Sequence, residues 1–333
     1  MQKVTLIPGD GIGPEIAESL KEIFAAAKVP IQFDQVEAGQ AILDQTGSLV
    51  PDNVYQKIEE NKIAIKGPIT TPIGQGFRSI NVSLRKKYDL YANVRPVKSI
   101  PGLTTRYQDI DLVIFRENTE GLYIGEEHYE TDDHNSAVAI KRITKQGSER
   151  IVKSAFEHAK KHGQTKVTVV HKANILKLTD GLFLETAREV ATSYPNITME
   201  ELIVDNMCLQ LVTHPERFQV IVTMNLYGDI LSDLCAGLVG GLGIAPGANL
   251  GDDLAIFEAV HGSAPDIAGQ DKANPLALIY SGINMLDYMG LSDYARQIEN
   301  AVLKTVSQPE HRTADLGGQL ATSAFTQKVI NYL

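Results

Sequence analysis

The chain has 333 residues, 43% of them hydrophobic, enough for one large or two moderate cores. A formal net charge of -10 argues against nucleic acid or an anionic membrane surface as the main partner, so an acidic substrate would need arginines and lysines gathered locally. Cys208 and Cys235 have no metal-ligand spacing, no apolar run is long enough for a bilayer, and no basic-then-apolar leader is visible; the expected setting is cytoplasmic, or an organelle matrix after loss of a transit peptide.

Short β-branched runs alternate with longer helical patterns, the mark of α/β architecture. Lys3 to Ile7 predicts a strand and Gly13 to Ala27 an amphipathic helix. Between them, Gly9-Asp10-Gly11-Ile12-Gly13 resembles a dinucleotide fingerprint, but its spacing is G-x-G-x-G and no acidic residue closes a fitting second strand. A tight strand-to-helix turn is the better reading. Further strands are expected at Ile31 to Val36, Ile63 to Ile65, Leu90 to Val94, Leu112 to Phe115, Val167 to Val170, Leu202 to Val204 and Val220 to Thr223. Helices are expected over Arg78 to Lys87, Ser148 to His162, Thr179 to Ser193, Leu226 to Leu238, Pro275 to Met289 and Ser292 to Thr305. Tyr123 to Gln146 is polar, then alternating, and reads as a β-hairpin-like excursion able to pair with a second copy of the chain. No linker separates clean domains, so a second domain would be an insertion.

Four segments carry chemistry. Arg85, Arg95 and Arg116 follow Arg78-Ser79-Ile80-Asn81, and guanidinium groups at strand ends suit a di- or tricarboxylate, although each alone could be a surface ion pair. Ser79 and Asn81 would offer donors from a helix's first turn. Lys172 follows an apolar strand, where burial could fit it for proton transfer or leave it an ordinary strand-end lysine. Asp229 and Asp233 lie one turn apart beside an apolar stripe of Leu226, Ile230, Leu234 and Leu238. Like charges at that spacing cost roughly 0.2–0.5 kcal/mol. A bound cation would remove the repulsion; two solvated aspartates are the plainer alternative. Asp205, after Leu202-Ile203-Val204, is a plausible third carboxylate. Finally, Glu258 to Gly269 is a small-residue loop closed by Asn274-Pro275, suited to close approach by a flat or phosphorylated ligand or simply to tight packing.

Taken in order, Gly-Asp-Gly-Ile-Gly-Pro-Glu, Arg-Glu-Asn-Thr-Glu-Gly, His-Lys-Ala-Asn, Asn-Leu-Tyr-Gly-Asp-Ile-Leu-Ser-Asp and His-Gly-Ser-Ala-Pro-Asp-Ile-Ala-Gly resemble the β-decarboxylating dehydrogenases of isocitrate, isopropylmalate and homoisocitrate, over essentially the whole chain. The resemblance implies a non-Rossmann α/β fold of the isopropylmalate dehydrogenase type, with a large parallel or mixed sheet domain and a smaller α/β domain. It implies a cofactor-binding domain from 1–90 and 240–333, and a dimerisation and metal domain from 91–239 that includes the 123–146 excursion as a clasp.

The resemblance also implies roles. Tyr123 and Lys172 match the catalytic pair, with Lys172 reaching in from the partner subunit. Ser79, Asn81, Arg85, Arg95 and Arg116 match substrate binders. Thr71, Asn174, His261, Gly262, Ser263, Ala264, Asp266, Ile267 and Asn274 match cofactor binders. Asp229 and Asp233 of one subunit with Asp205 of the other would hold Mg2+ or Mn2+ on the substrate's hydroxyl and adjacent carboxylate. The implied reaction removes the hydroxyl proton, passes hydride to the nicotinamide, loses CO2, and reprotonates the enol from Tyr123. The Arg-Ser-x-Asn-x-x-x-Arg pattern looks like isocitrate dehydrogenase, with homoisocitrate or isopropylmalate as alternatives. Asp266, Ile267 and His214 stand where NADP-dependent relatives carry Lys, Tyr and Arg, which favours NAD. The short region after Tyr123 resembles compact NAD-dependent isocitrate dehydrogenases, including catalytic subunits of mitochondrial hetero-oligomers, and the implied site shared between chains requires a homodimer or larger homo-oligomer. The complete catalytic set weighs against a non-catalytic regulatory subunit.

Overall fold

Strands covered on both faces have no solvent side to alternate with, so they read as unbroken apolar runs. Val220-Ile221-Val222 and Val167 to Val170 are of this kind and are fully buried. The computed structural model describes residues 1–70, 80–103 and 105–333; Thr71, Arg78 and Ser79 therefore lie outside the described residues. In chain order the elements are β1 (Gln2–Ile7), α1 (Gly13–Ala26), β2 (Ile31–Gln35), α2 (Gln40–Thr46), α3 (Asp52–Asn61), β3 (Ile63–Lys66), α4 (Ile80–Lys87), β4 (Ala92–Lys98) and β5 (Asp111–Glu117). There follow β6 (Glu127–Tyr129), β7 (Ala137–Ala139), α5 (Lys145–Lys161), β8 (Lys166–His171), α6 (Thr179–Ala191), β9 (Thr198–Ile203), α7 (Val204–Thr213), β10 (Val220–Thr223) and α8 (Asn225–Val239). The chain closes with β11 (Pro246–Leu250), β12 (Ala255–Ala259), α9 (Leu276–Tyr288), α10 (Ser292–Ser307) and α11 (Thr322–Ile330).

Two compact units emerge. The first takes Met1–Tyr88, Ser99–Arg106 and Val239–Leu333. Its strands run in the order β2-β1-β3-β12-β11, parallel except for the antiparallel β11–β12 pair. Helix α9 packs across β3, β11 and β12, while α3 packs on β1 and β3. The second unit takes Asp89–Lys98 and Tyr107–Leu238. Its order is β4-β5-β10-β8-β9, with β5, β10, β8 and β9 parallel and β4 antiparallel to β5. The register Arg116–Thr223–Val170 puts the carboxyl ends of β5, β10 and β8 side by side. In α/β sheets that end is where ligand contacts gather.

The strands and helices that the periodicity predicts are present, with three differences, while α2, α3, β11, β12 and α11 are elements it does not predict. Val204 does not end a strand: it opens α7, so Asp205 sits in a helix's first turn. Arg95 lies inside β4 rather than at its end. The expected α8 stripe is divided, because Leu238 is buried while Ile230 is 52% exposed; the core side is Leu231 and Cys235 instead. Helix α8 starts at Asn225, and this phase turns Leu231 rather than Ile230 inward. The Tyr123 to Gln146 excursion contains the two-stranded antiparallel ribbon β6–β7.

Candidate active site

Arg116 organises the second unit. It is the penultimate residue of β5 and only 2% exposed. Its Nε and Nη2 donate to Asn225 Oδ1 at 2.9 and 2.8 Å, and its Nη1 donates to Asp229. Asn225 is itself fixed, its Nδ2 donating to Glu120 O at 3.1 Å. Gly228 makes room for the arginine stem: a Cβ there would stand 2.5 Å from Arg116 Cγ.

Tyr123 donates its hydroxyl to the other Asp229 oxygen, and Arg116 lies 5.1 Å from its ring centre. Burial, and then the neighbouring Asp229, push the Tyr123 phenol above its ordinary range, so it holds its proton. Burial works to raise the Asp229 carboxyl, but the Arg116 charge and the hydrogen bonds from Tyr123 and Arg116 outweigh it and hold Asp229 below the usual carboxylate range. The half-buried carboxylate is therefore ionised at neutral pH. Asp233 is exposed one turn further along α8.

Lys172 and Asp205, following β8 and β9, form an ion pair. The hydrogen bond from the ammonium holds the Asp205 carboxyl below its ordinary range. The backbone of Lys172 is anchored from below, its N–H donating to Asp180 Oδ2 at 2.8 Å. Asp180 is fully buried and also receives Tyr227 Oη at 3.0 Å and the Lys141 ammonium. This anchor went unseen in the sequence; a signal existed, since an acidic residue opening a helix (Thr179-Asp180) eight positions after a strand-end lysine can fold back on it. Likewise the motif after β5 serves the backbone. Glu117 accepts from Thr119 N at 2.9 Å and Glu120 N at 2.9 Å, and Glu120 accepts from Thr144 N at 3.1 Å where the hairpin returns.

Among the described residues, no three His, Cys, Asp or Glu side chains of one chain are grouped to hold a metal. Asp229 and Asp233 supply oxygen ligands of the hard kind that Mg2+ and Mn2+ prefer, so the donor chemistry fits half of such a site.

In the first unit, Asn81 lies in the first turn of α4 and Arg85 one turn on. Arg85 is buried, with Nε donating to Asn249 Oδ1 at 3.1 Å and Nη2 to Glu258 Oε1 at 3.3 Å. Glu258 also pairs with buried Lys66 at 2.9 Å. His261 to Ile267 forms a turn in which Ile267 N donates to Ala264 O at 3.2 Å and Ala264 takes a φ of 39°. Burial lowers the His261 imidazole below its ordinary range. Its Nδ1 faces Gly262 O at 2.9 Å, and its buried Nε2 has no hydrogen-bond partner among the described residues. A buried neutral imidazole nitrogen without a partner suits a donor from a ribose or an amino group, so the loop fits a dinucleotide. Asp266 is exposed on the same turn. Asn274 is oriented by Leu276 N at 3.0 Å and by Asp315 at 2.8 Å, a partner the sequence did not advertise. Asn174 is exposed in the second unit, after β8.

The family model described as isocitrate/isopropylmalate dehydrogenase matches residues 3–332. The chain belongs to that family. It is an oxidoreductase of the isocitrate/isopropylmalate dehydrogenase type, with that family's fold. It is 51% identical over 99% of its length to the mitochondrial NAD isocitrate dehydrogenase catalytic subunit 5 of Arabidopsis thaliana, covering 88% of that protein. It is 53% identical over 99% of its length to a mitochondrial NAD isocitrate dehydrogenase regulatory subunit of Dictyostelium discoideum, covering 91% of it. A crystal structure of isocitrate dehydrogenase from Methylococcus capsulatus superposes with a TM-score of 0.95 at 49% identity, over 100% of this dehydrogenase and 99% of the other. Catalytic and regulatory relatives are thus about equally similar, and overall likeness does not separate turnover from binding. The side chains at the site must do that.

Proposed function

We propose that this dehydrogenase oxidatively decarboxylates isocitrate to 2-oxoglutarate and CO2, reducing NAD with the help of Mg2+ or Mn2+. One arrangement carries the reading: Arg116, Tyr123 and Asp229 converge in one partly buried cluster, with a guanidinium, a protonated phenol and an ionised carboxylate in contact. Arg116 and Arg95 would hold substrate carboxylates, with Asn81, Arg85 and Ser79 reading the variable group. Asp229 and Asp233 would hold the cation with Asp205 of the partner subunit. His261, Gly262, Ser263, Ala264, Asp266, Ile267 and Asn274 would hold NAD, with Thr71 and Asn174. Bound NAD accepts the hydride, and a bound divalent cation supplies positive charge where negative charge builds on the substrate oxygens. Lys172, in its neutral amine form, would take the hydroxyl proton, and Asp180 keeps its backbone in place. Tyr123, whose raised pKa keeps it protonated, delivers its proton to the enol carbon left by CO2. Exposed Asp266 accepts from ribose hydroxyls and repels a 2′-phosphate, which favours NAD over NADP.

A second copy of the chain fits the same reading. Ile230 on α8 is 52% exposed, Leu178 87%, and Leu122 and Leu176 more than a third. An isolated two-stranded ribbon such as β6–β7 is marginal in water without further pairing. A homodimer would cover both and bring Lys172 and Asp205 to the partner's Asp229. Of the organelle and cytoplasmic settings, the mitochondrial relatives favour the organelle, and no helix among the described residues is long and apolar enough to cross a membrane.

The test is a grid of isocitrate, homoisocitrate and isopropylmalate against NAD and NADP, each with Mg2+ or Mn2+. The highest kcat/KM is expected with isocitrate and NAD. No NADH from that pair would end the proposal, and a higher kcat/KM for another acid would move the substrate. A regulatory, non-catalytic role is the second reading, on the strength of the Dictyostelium relative. Thermal stabilisation by isocitrate without any turnover would select it.

A further inference from the structure

Among the described residues, the Gly9-Asp10-Gly11-Ile12-Gly13-Pro14-Glu15 segment hydrogen-bonds neither Tyr123 nor Lys172, yet it holds one distant loop at both ends, directly and through Thr70. Asp10 Oδ2 accepts from Thr70 N at 2.9 Å, and Asp10 Oδ1 from Gln40 N at 2.9 Å. Thr70 then shares a 2.7 Å hydroxyl contact with Ser263. Ile12 N donates to Ser263 O at 2.9 Å, and Gly11, at a φ of 59°, leaves room for that carbonyl, which would lie 1.9 Å from an added Cβ. At the loop's far end, Glu15 accepts from Gly269 N at 2.9 Å and from Asp271 N at 3.0 Å. The loop between these holds is strained: Ala264 and Asp271 take φ values of 39° and 55°, a region costly for residues with a Cβ. Such a turn persists when its surroundings fix it from both ends.

We infer that the Gly9–Glu15 segment is a clamp on the 261–271 loop, and that Asp10 and Glu15 are positioning residues for dinucleotide affinity. The inference rests on the reading of that loop as the NAD site. Asp10 acts through Thr70 and Ser263 at the loop's entry; Glu15 acts through two backbone amides at its exit. Neither has to touch the cofactor. Losing either carboxylate frees one end of the turn, so binding would first have to reorder it.

Asp10→Asn and Glu15→Gln are compared with wild type and with Glu18→Gln, a control whose exposed carboxylate pairs with Lys21 one turn along α1. NADH binding is read by fluorescence titration, KM for NAD and isocitrate and kcat by steady-state kinetics, and the loop by amide hydrogen exchange over 262–270. About tenfold weaker NADH binding and a matching rise in KM for NAD are expected in both variants, the factor typical of one lost charge-assisted hydrogen bond. Exchange in the loop should quicken, while kcat and KM for isocitrate stay within about twofold and the control matches wild type. Unchanged NADH affinity in both variants overturns the clamp, as does a parallel rise in both KM values. If Asp10→Asn does not fold, Glu15→Gln in the first turn of α1 decides. Wild type that binds no NADH overturns the clamp's role together with the loop assignment. Wild type that binds NADH but oxidises none of the three acids sinks the substrate reading alone and leaves the clamp to be judged by titration.

Discussion

Gly228 shows how one missing Cβ sets the chemistry of a neighbour. The Arg116 stem lies across the first turn of α8, and the nearest side-chain carbons stand 2.5 and 2.6 Å from where a Cβ would be. No real Cβ tolerates that distance, and Arg116 is buried too deeply to swing aside. Gly228→Ala should therefore displace the guanidinium from Asn225 and Asp229 together. Overpacking of this kind costs about 1–3 kcal/mol of stability. Activity should suffer more, because on the proposed reading the arginine's aim binds a substrate carboxylate: a loss of about a hundredfold or more in kcat/KM is expected, measured with saturating NAD and metal. A variant with normal kinetics would show that Arg116 is not held as described. The glycine stands in plain view between Tyr227 and Asp229, but its reason was not readable from one chain. The partner it accommodates is more than a hundred residues away, and only the β5–β10 pairing brings the two together.

Among the elements, the strands were the most legible and the interfaces the least. Parallel strands announce themselves by unbroken apolar runs, whereas β11 (Pro-Gly-Ala-Asn-Leu) has little strand character and exists because β12 pairs with it. In α8 the periodicity predicts one apolar stripe through Ile230, and only packing reveals that Leu231 and Cys235 face the core while Ile230 faces outward. If a second copy covers Ile230, then Ile230→Glu should yield a monomer in sedimentation velocity with its far-UV circular dichroism intact. NADH formation should fall by about a hundredfold or more, since Lys172 would no longer reach a neighbour's site. A dimer that survives, or a monomer that keeps full activity, contradicts the shared site. Helix α5 offers an independent prediction. His158 packs its ring 5.2 Å from Phe115 and 4.0 Å from His162, and burial, with the adjacent His162 and Lys161 charges, pushes it down to about 4. The fold favours the neutral ring, and the unfolded chain takes up the proton near pH 6.5. The contribution is thus full above about pH 6.5 and drains away as the pH falls towards 4. Tm should drop between pH 7 and pH 5, and His158→Phe should drop less; equal slopes would clear His158 of the effect.

For the molecule as a whole, the order of five motifs along 333 residues carried the family, because each motif sits at a strand end or a turn that the fold requires. What it could not carry was how the charges are paired off. Asp229 is engaged by Arg116 and Tyr123, Asp205 by Lys172, and Asp180 by Lys141, so these three carboxylates are each neutralised by a partner. That pairing bears on metal affinity. On the proposed reading, a divalent cation alone would have to draw Asp229 away from its arginine and find its remaining ligands in water. Isocitrate would change both terms, its carboxylate taking the place of Asp229 on Arg116 and its oxygens supplying further ligands. Metal and substrate should therefore stabilise the protein together far more than either does alone. A ligand present at a hundred times its Kd adds about 2.7 kcal/mol. At roughly 2–4 °C per kcal/mol for mid-sized chains, and less for longer ones, this is a Tm rise of several degrees. The expected pattern by calorimetry is a small shift with Mn2+, a small shift with isocitrate, and a combined shift well above their sum that EDTA removes. A full shift with Mn2+ alone would mean that the protein carboxylates complete the site without the substrate, and simple addition of the two shifts would mean that metal and isocitrate bind in separate places.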